Sequence, residues 1–460
     1  MQQHDIKLPE SASDLVSIAL SENDIYSAAA VYEVANEAQR SELADILCKE
    51  RRDALRLARW EHTPAIVLRL LSGLHDDTIR LRIDKNPATE SDTLETLFKD
   101  EHDDLTLVGL IAQHIHTSAE VLKKIVETET ETSIIRSVCK NPNATAEIFA
   151  MVEAKHAGTF DAELAGHANT PVELLEKIYN RGNNFVQAEV IAHDQCPSQL
   201  FSQALEHTDP VVLRHLAANP RTDKAALLLL TKHDDSSIRR AAAGNPNLAA
   251  DRAEELIDAP SASVRRAVAA RQDLSLEAVE KLANDDDHWV RQWVALNPNL
   301  SEALMQQLTT DSDKEVRRAI ARNSSTPEKI LIQLAEDPEA WVRSAVAYQP
   351  HTPVPVLKML SDDQSVDVLS GVANNPNTPQ PVLQRLTKSI EPHVRRAVIL
   401  NKNADRETLY PLLEDPYYLH RLLLIQSEVL SDEDKWALYD DPDSAVRFTL
   451  FTWFSRKYLQ

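Results

Sequence analysis

Two kinds of side chain recur at fixed places along this chain and could do chemistry together. Arginines stand at Arg136, Arg214, Arg240, Arg266, Arg318, Arg396 and Arg421, each two residues after an aliphatic one in motifs such as Val-Arg-Arg-Ala. Just before that aliphatic residue come Trp289, Trp341, His393 and Tyr418, while Trp293 replaces a nearby alanine. One turn further on come Lys85, Lys140, Arg322 and Tyr348. On a helix these positions share one face. Guanidinium forks pair with phosphate or carboxylate, and aromatic faces stack on bases or cations. The expected centre of contact is therefore Trp289, Trp293, Arg318, Arg322, Trp341, Tyr348, His393 and Arg396. The same pattern would also arise from solvated faces whose tryptophans cover aliphatic neighbours.

Other chemistries find less support. Only seven glycines occur, and no two are closer than eight residues, which excludes a G-x-G-x-x-G turn or a Gly-rich phosphate loop. No Gly-x-Ser-x-Gly elbow is present, and no enzyme activity is expected. His114, His167 and His193, with His116 and Cys196 nearby, could form a metal ladder, but no H-E-x-x-H or C-x-x-C spacing occurs. These histidines read instead as substitutes for asparagine at a helix end, and no metal or cofactor is expected. Cys48, Cys139 and Cys196 are odd in number and far apart, which fits a reducing, cytoplasmic compartment. No secretory signal is expected over Met1 to Val16, and no apolar run reaches the ~18 residues of a membrane helix. The net charge of −23 disfavours indiscriminate binding to nucleic acid or anionic membrane.

The elements that must position these residues follow from internal repetition. Variants of Val264 to Ala270 recur at Ile238, Val316, Val342 and Val394, often followed by a string like Asn375 to Pro379. Anchored on the residue before the proline, sixteen copies run from Trp60 to Trp453, including His114, Asn141, Asn219, Asn323, Gln349 and Asn401. From Asn141 to Asn401 every step is 26 residues; the steps through Gln426 are 25 and 27. A fixed period of this length means a solenoid. Each repeat reads as two short helices. In Thr326 to Gln349, Thr326 is expected as N-cap and Pro327 as the first helical residue. Ile330, Leu331 and Leu334 form the apolar face, and Pro338 marks the turn. The second helix turns Val342, Ala345 and Val346 inward. Asparagine at the anchor is expected to end that helix in a left-handed conformation. Acids four residues before the first arginine, as in Asp287 and Arg291 or Asp313 and Arg317, are expected to pair along the helix. Those first arginines read as inter-repeat glue.

The string D-x-x-V-R-x-A-V-A-x-N-P-N-T-P-x-x-V-L-x-x-L resembles the leucine-rich repeat variant family of bacterial proteins and is similar to short HEAT-type repeats. The resemblance covers roughly residues 50 to 455. It implies an all-α, right-handed superhelical solenoid of about 16 two-helix repeats, some helices being 3₁₀. An iron–sulfur module found in some members is not expected, because Cys48 is the only cysteine before Cys139. The expected organisation is an N-terminal helical cap over 1–52, the repeats over 53–445, and a capping segment over 446–460. The aromatic run Phe448, Phe451, Trp453, Phe454 reads as a packed cap or an exposed contact surface. The expected function is a non-enzymatic scaffold that presents an Arg/aromatic surface to a protein or acidic peptide. The alternative is nucleic acid, by analogy with helical-repeat scaffolds that excise alkylated bases.

Overall fold

In the computed structural model, which describes residues 7–100 and 103–459, the repeat is visible as a pair of short helices separated by tight turns. The described residues hold 34 α-helices, one 3₁₀ helix at Tyr410–Glu414, and no strand. The chain divides into two compact units: Met1–Arg181 with Leu413–Gln460, and Gly182–Leu412.

The repeat at Thr326 shows how the sequence sets the elements. Its helices are Glu328–Leu334 and Ala340–Tyr348. Ile330, Leu331, Leu334, Val342 and Val346 are buried, as their spacing requires. Pro327, not Thr326, is the N-cap. The Thr326 hydroxyl instead donates to the Ile320 carbonyl at 2.6 Å, closing the end of the preceding helix. Thr63, Thr117, Thr222 and Thr378 do the same at 2.5–2.6 Å. A threonine six residues past a free helical carbonyl satisfies it within a buried turn. In other copies Ser275, Ser301 and Asp223, one position later, cap the next helix through their side chains.

The anchor asparagine also departs from expectation. Asn323 is extended, with φ −67° and ψ 123°, and Asn23 and His75 are the only non-glycine residues with positive φ among those described. The reason for asparagine is its amide. Asn323 Nδ2 donates to the carbonyls of Ala295 and Asn297 in the preceding repeat, at 2.8 and 2.9 Å, and Oδ1 accepts from Ser325 N–H at 2.9 Å. Asn245, Gln349, Asn375 and Asn401 make the same two inter-repeat bonds. Histidine satisfies the slot in its own way. His114 Nε2 lies 3.0 Å from the Asn86 carbonyl, while Nδ1 accepts from His116 N–H at 3.1 Å, which places the ring proton on Nε2. Burial lowers the His114 pKa, in keeping with this neutral ring. Arg271 reaches the carbonyls of Ala243 and Asn245 from the same slot.

A second ladder runs through the first arginines. Arg265, Arg291, Arg317 and Arg343 each make a two-pronged pair with the aspartate 20 residues on: Asp285, Asp311, Asp337 and Asp363. The third nitrogen donates to the carbonyl six residues back, as Arg317 Nη1 does to Asp311 at 2.9 Å. The acids four residues before the arginines are therefore not their partners. Asp287 and Asp313 cap the second helix through the N–H groups of Val290 and Glu315. The Arg317 guanidinium bridges two turns, taking two carbonyls of the turn before its own helix and both carboxylate oxygens of the turn after.

The last repeats correct the register. Arg421 pairs with Asp441 through both prongs, at 2.7 and 2.9 Å, and donates to the Asp415 carbonyl, so it is a first arginine and is buried. The anchor is then Ser427, one 26-residue step after Asn401 and one before Trp453, in place of Gln426. No Asn-Pro pair marks this copy, so local sequence does not fix its phase.

In the first unit the terminal segments, read from sequence as separate caps, pack on each other. The helices Ala12–Glu22 and Ile25–Val31 lie against the C-terminal helix Ser444–Leu459. Phe448, Leu450, Phe451 and Phe454 are buried. Trp60 meets Tyr26 and Phe448 edge-to-face at 4.9 and 4.5 Å, Ser455 Oγ donates to the Ala30 carbonyl, and Tyr458 donates to that of Pro9. Residues 1–6 and 460 of the expected caps lie outside the described residues, as do 101–102, between the helices Ser91–Asp100 and Leu105–Gln113. In the second unit one glycine is explained by packing. A Cβ on Gly371 would lie 2.8 Å from that of Ala347 and 3.0 Å from the Tyr348 ring. The helices Ala340–Tyr348 and Val366–Asn374 therefore approach as closely as a bare backbone allows.

Candidate functional site

The outward face of the second helices is where side chains remain available. In three successive repeats the helices Pro210–Ala218, Ser236–Ala243 and Ala262–Ala269 carry Arg214, Arg240 and Arg266 at one position. Their neighbours on this face are small: Ala218, Ala241, Gly244, Ala267 and Ala270. The missing bulk leaves an open groove of about 640 Å³ within the second unit, with Trp293 in its wall and no carboxylate in its lining. The side chains of Arg214 and Arg240 make no hydrogen bond or ion pair among the described residues. Arg266 is held by Asp287 through both prongs, at 2.9 and 2.5 Å. That contact, with the Val290 N–H, holds the Asp287 carboxyl down at about 2 against the effect of burial. The Arg266 guanidinium also lies 5.9 Å from the Trp289 ring.

The eight residues expected as one centre do not gather in one place. Trp289, Trp293, Trp341 and Tyr348 are 43–45% exposed. Trp293 belongs to the groove, whereas Trp289 and Trp341 are each covered by an arginine of the preceding repeat. Arg318 lies 4.1 Å over the Trp341 ring and 3.2 Å from Glu315, so its charge is already engaged. Tyr348 rests against Gly371. Arg322, His393 and Arg396 are exposed, and no hydrogen bond, ion pair or ring contact joins them to the others among the described residues. Arg421 leaves the stripe altogether, for the reason given above. What the expectation underweighted is the trio Arg214, Arg240 and Arg266. The signal was present in the sequence as a run of Ala and Gly around three arginines at one spacing.

His114 and His167 each place Nε2 3.0 Å from a carbonyl of the preceding repeat, Asn86 and Asn141, and the described residues contain no group of three His, Cys, Asp or Glu that could hold a metal. Burial pushes the thiols of Cys139 and Cys196 up to about 12, so neither is a nucleophile at neutral pH. No described helix is long and apolar enough to cross a membrane.

No family model matches the chain, and no curated protein matches it. Among solved structures, a chain from the structure of the Pds5–Scc1 complex, described with its implications for cohesin function, is similar over 98% of this chain and 72% of its own length. Its identity is 14% and its TM-score 0.23. UNC-45 from Drosophila melanogaster is similar over 96% of this chain and 63% of its own length, at 14% identity and a TM-score of 0.16. At such scores neither neighbour says what this chain binds.

Proposed function

We propose that this chain is a non-enzymatic, cytoplasmic scaffold of the leucine-rich repeat variant type, whose second-helix face receives an acidic segment of a protein partner. The observation that carries this reading is the groove at Arg214, Arg240 and Arg266, where positive charge is concentrated without a lining carboxylate in a chain of net charge −23. Guanidinium forks suit carboxylates. Trp293 adds the kind of aromatic anchor on which binding energy concentrates. A nucleic-acid strand is the second reading, favoured by the exposed Trp289, Trp293 and Trp341. Against it, two of these rings are already covered by arginines, which leaves Trp293 as the open stacking surface of the three.

The test is fluorescence anisotropy with a labelled Glu/Asp-rich peptide and, separately, labelled single-stranded DNA, both at ~150 mM salt. The peptide should bind, and Arg214→Glu with Arg240→Glu should weaken it by about tenfold or more without changing the melting temperature. DNA binding tighter than peptide binding, and lost in the same variant, would shift the reading to nucleic acid. Unchanged peptide affinity in the variant would end it.

A further inference from the structure

The first unit holds a basic surface that the groove above does not explain. The helix Arg51–Arg59 places Arg52, Arg56 and Arg59 at i, i+4 and i+7, on one face. The helix Asp77–Asp84 adds Arg82. With Arg51, Leu55 and Thr78 these residues line an open cavity of about 490 Å³. Two carboxylates answer this charge. Asp76 takes Arg51 through both prongs, at 2.6 and 3.1 Å, and Asp53 lies 3.3 Å from Arg56. Arg52, Arg59 and Arg82 are exposed and make no hydrogen bond or ion pair among the described residues.

Like charges one helical turn apart repel. An anion in the cavity would turn that repulsion into attraction. The lining also narrows the class of anion. It contains no aromatic ring on which a base could stack, and Leu55 is its single apolar residue, too little for a peptide anchor. Arginine forks match the tetrahedral oxygens of phosphate, two to a fork. We infer that the cavity lined by the helices Arg51–Arg59 and Asp77–Asp84 binds a compact, multiply charged phosphate group. Such a group is carried by a free oligophosphate or by a phosphorylated lipid headgroup. The chain's overall negative charge favours the free molecule, since an anionic membrane would repel the rest of the surface.

The experiment uses the full chain. Inorganic tripolyphosphate is titrated calorimetrically, with sulfate at matched ionic strength as control. In parallel, the protein is sedimented with phosphatidylcholine vesicles with and without a phosphoinositide. The comparison variants are Arg59→Glu with Arg82→Glu, and Arg214→Glu with Arg240→Glu, each checked for helicity by circular dichroism. Tripolyphosphate should bind, weaken by about tenfold or more in the first variant, and be unaffected in the second. Cosedimentation with phosphoinositide vesicles, lost in the first variant only, would instead identify the headgroup as the source and uphold the site. Sulfate binding as tightly as tripolyphosphate, an unaltered affinity in Arg59→Glu with Arg82→Glu, or no binding in either arm would overturn the inference.

Discussion

The helix Ser236–Ala243 carries two adjacent arginines in different surroundings. Arg239 is half-buried and donates to the carbonyls of His233 and Asp234. Arg240 is exposed, and its side chain makes no hydrogen bond or ion pair among the described residues. One residue of a helix is a rotation of about 100°, and here it separates a repeat seam from an open face. Further along, the seam position becomes a continuous ladder, with Arg317 and Asp337 side chains only 13% and 5% exposed. The lesson is that a count of arginines says nothing about binding. What distinguishes the two rows is whether the guanidinium reaches the turn carbonyls six and five residues back, as those of Arg239 and Arg317 do.

The acid side of this comparison should show the largest effect. Asp337 has its arginine, but Asp84, in the first unit, stands where Ala321, Ala347 and Ala373 are buried, and neither of its oxygens has a partner. Burial raises its pKa from 3.8 to about 8. A carboxyl whose folded pKa exceeds its unfolded one keeps its proton in the fold after the unfolded chain has lost it. Stability relative to Asp84→Ala should therefore fall as pH rises from about 4 to about 8, by several kcal/mol, and level off above. Thermal melts of both proteins across that range check this; parallel curves would show that the Asp84 carboxyl has a partner after all.

Breaking the ladder comes next. Arg317→Ala leaves Asp337 buried and alone, and should cost about 3 kcal/mol. Hydrogen exchange would register it as loss of protection in the helices Lys314–Arg322 and Ala340–Tyr348. Arg240→Ala should leave exchange in its own helix unchanged. At the anchor, Asn323→Leu orphans two carbonyls and should cost about 2 kcal/mol. Asn323→His should cost less than about 1 kcal/mol, because His114 already fills this slot with a bond to the preceding repeat. Denaturant titration separates the two. Equal losses would mean the amide matters for its shape and not for its bonds. The smallest effect on stability, within about 0.5 kcal/mol, is expected for Arg214→Glu with Arg240→Glu, the pair whose replacement should most affect peptide binding.

Much of this was legible in the sequence, and the misses share a cause. The 26-residue period follows from internal repetition, and the buried Ile330, Leu331 and Leu334 follow from hydrophobic spacing, which acts within one repeat. The partners of Asn323, Thr326 and Arg317 lie outside their own helix, in a neighbouring repeat or across a turn, and local helix rules assign such residues to the nearest available role. Hence the expected left-handed cap, the expected N-cap and the expected i, i+4 pair. The phase error at Gln426 arose where no Asn-Pro marks the turn; only the Arg421–Asp441 pair reveals the true register. Trp289, Trp293, Arg322, Trp341, Tyr348, His393 and Arg396 stand exposed on the second helices. Which arginines are open was hidden, because it depends on whether the next repeat supplies a tryptophan, as Trp341 does for Arg318, or a small residue, as Ser263 and Ala267 do near Arg240.

The central claim is that the two arginine rows divide holding from binding. Phenylglyoxal modification of arginines, followed residue by residue by mass spectrometry with and without the acidic peptide, tests it most directly. Arg214 and Arg240 should react first and be shielded by the peptide, while Arg291, Arg317 and Arg343 should react slowly in either case. Ladder arginines reacting as fast as Arg240, or a peptide that binds and leaves Arg214 and Arg240 unshielded, would contradict the account.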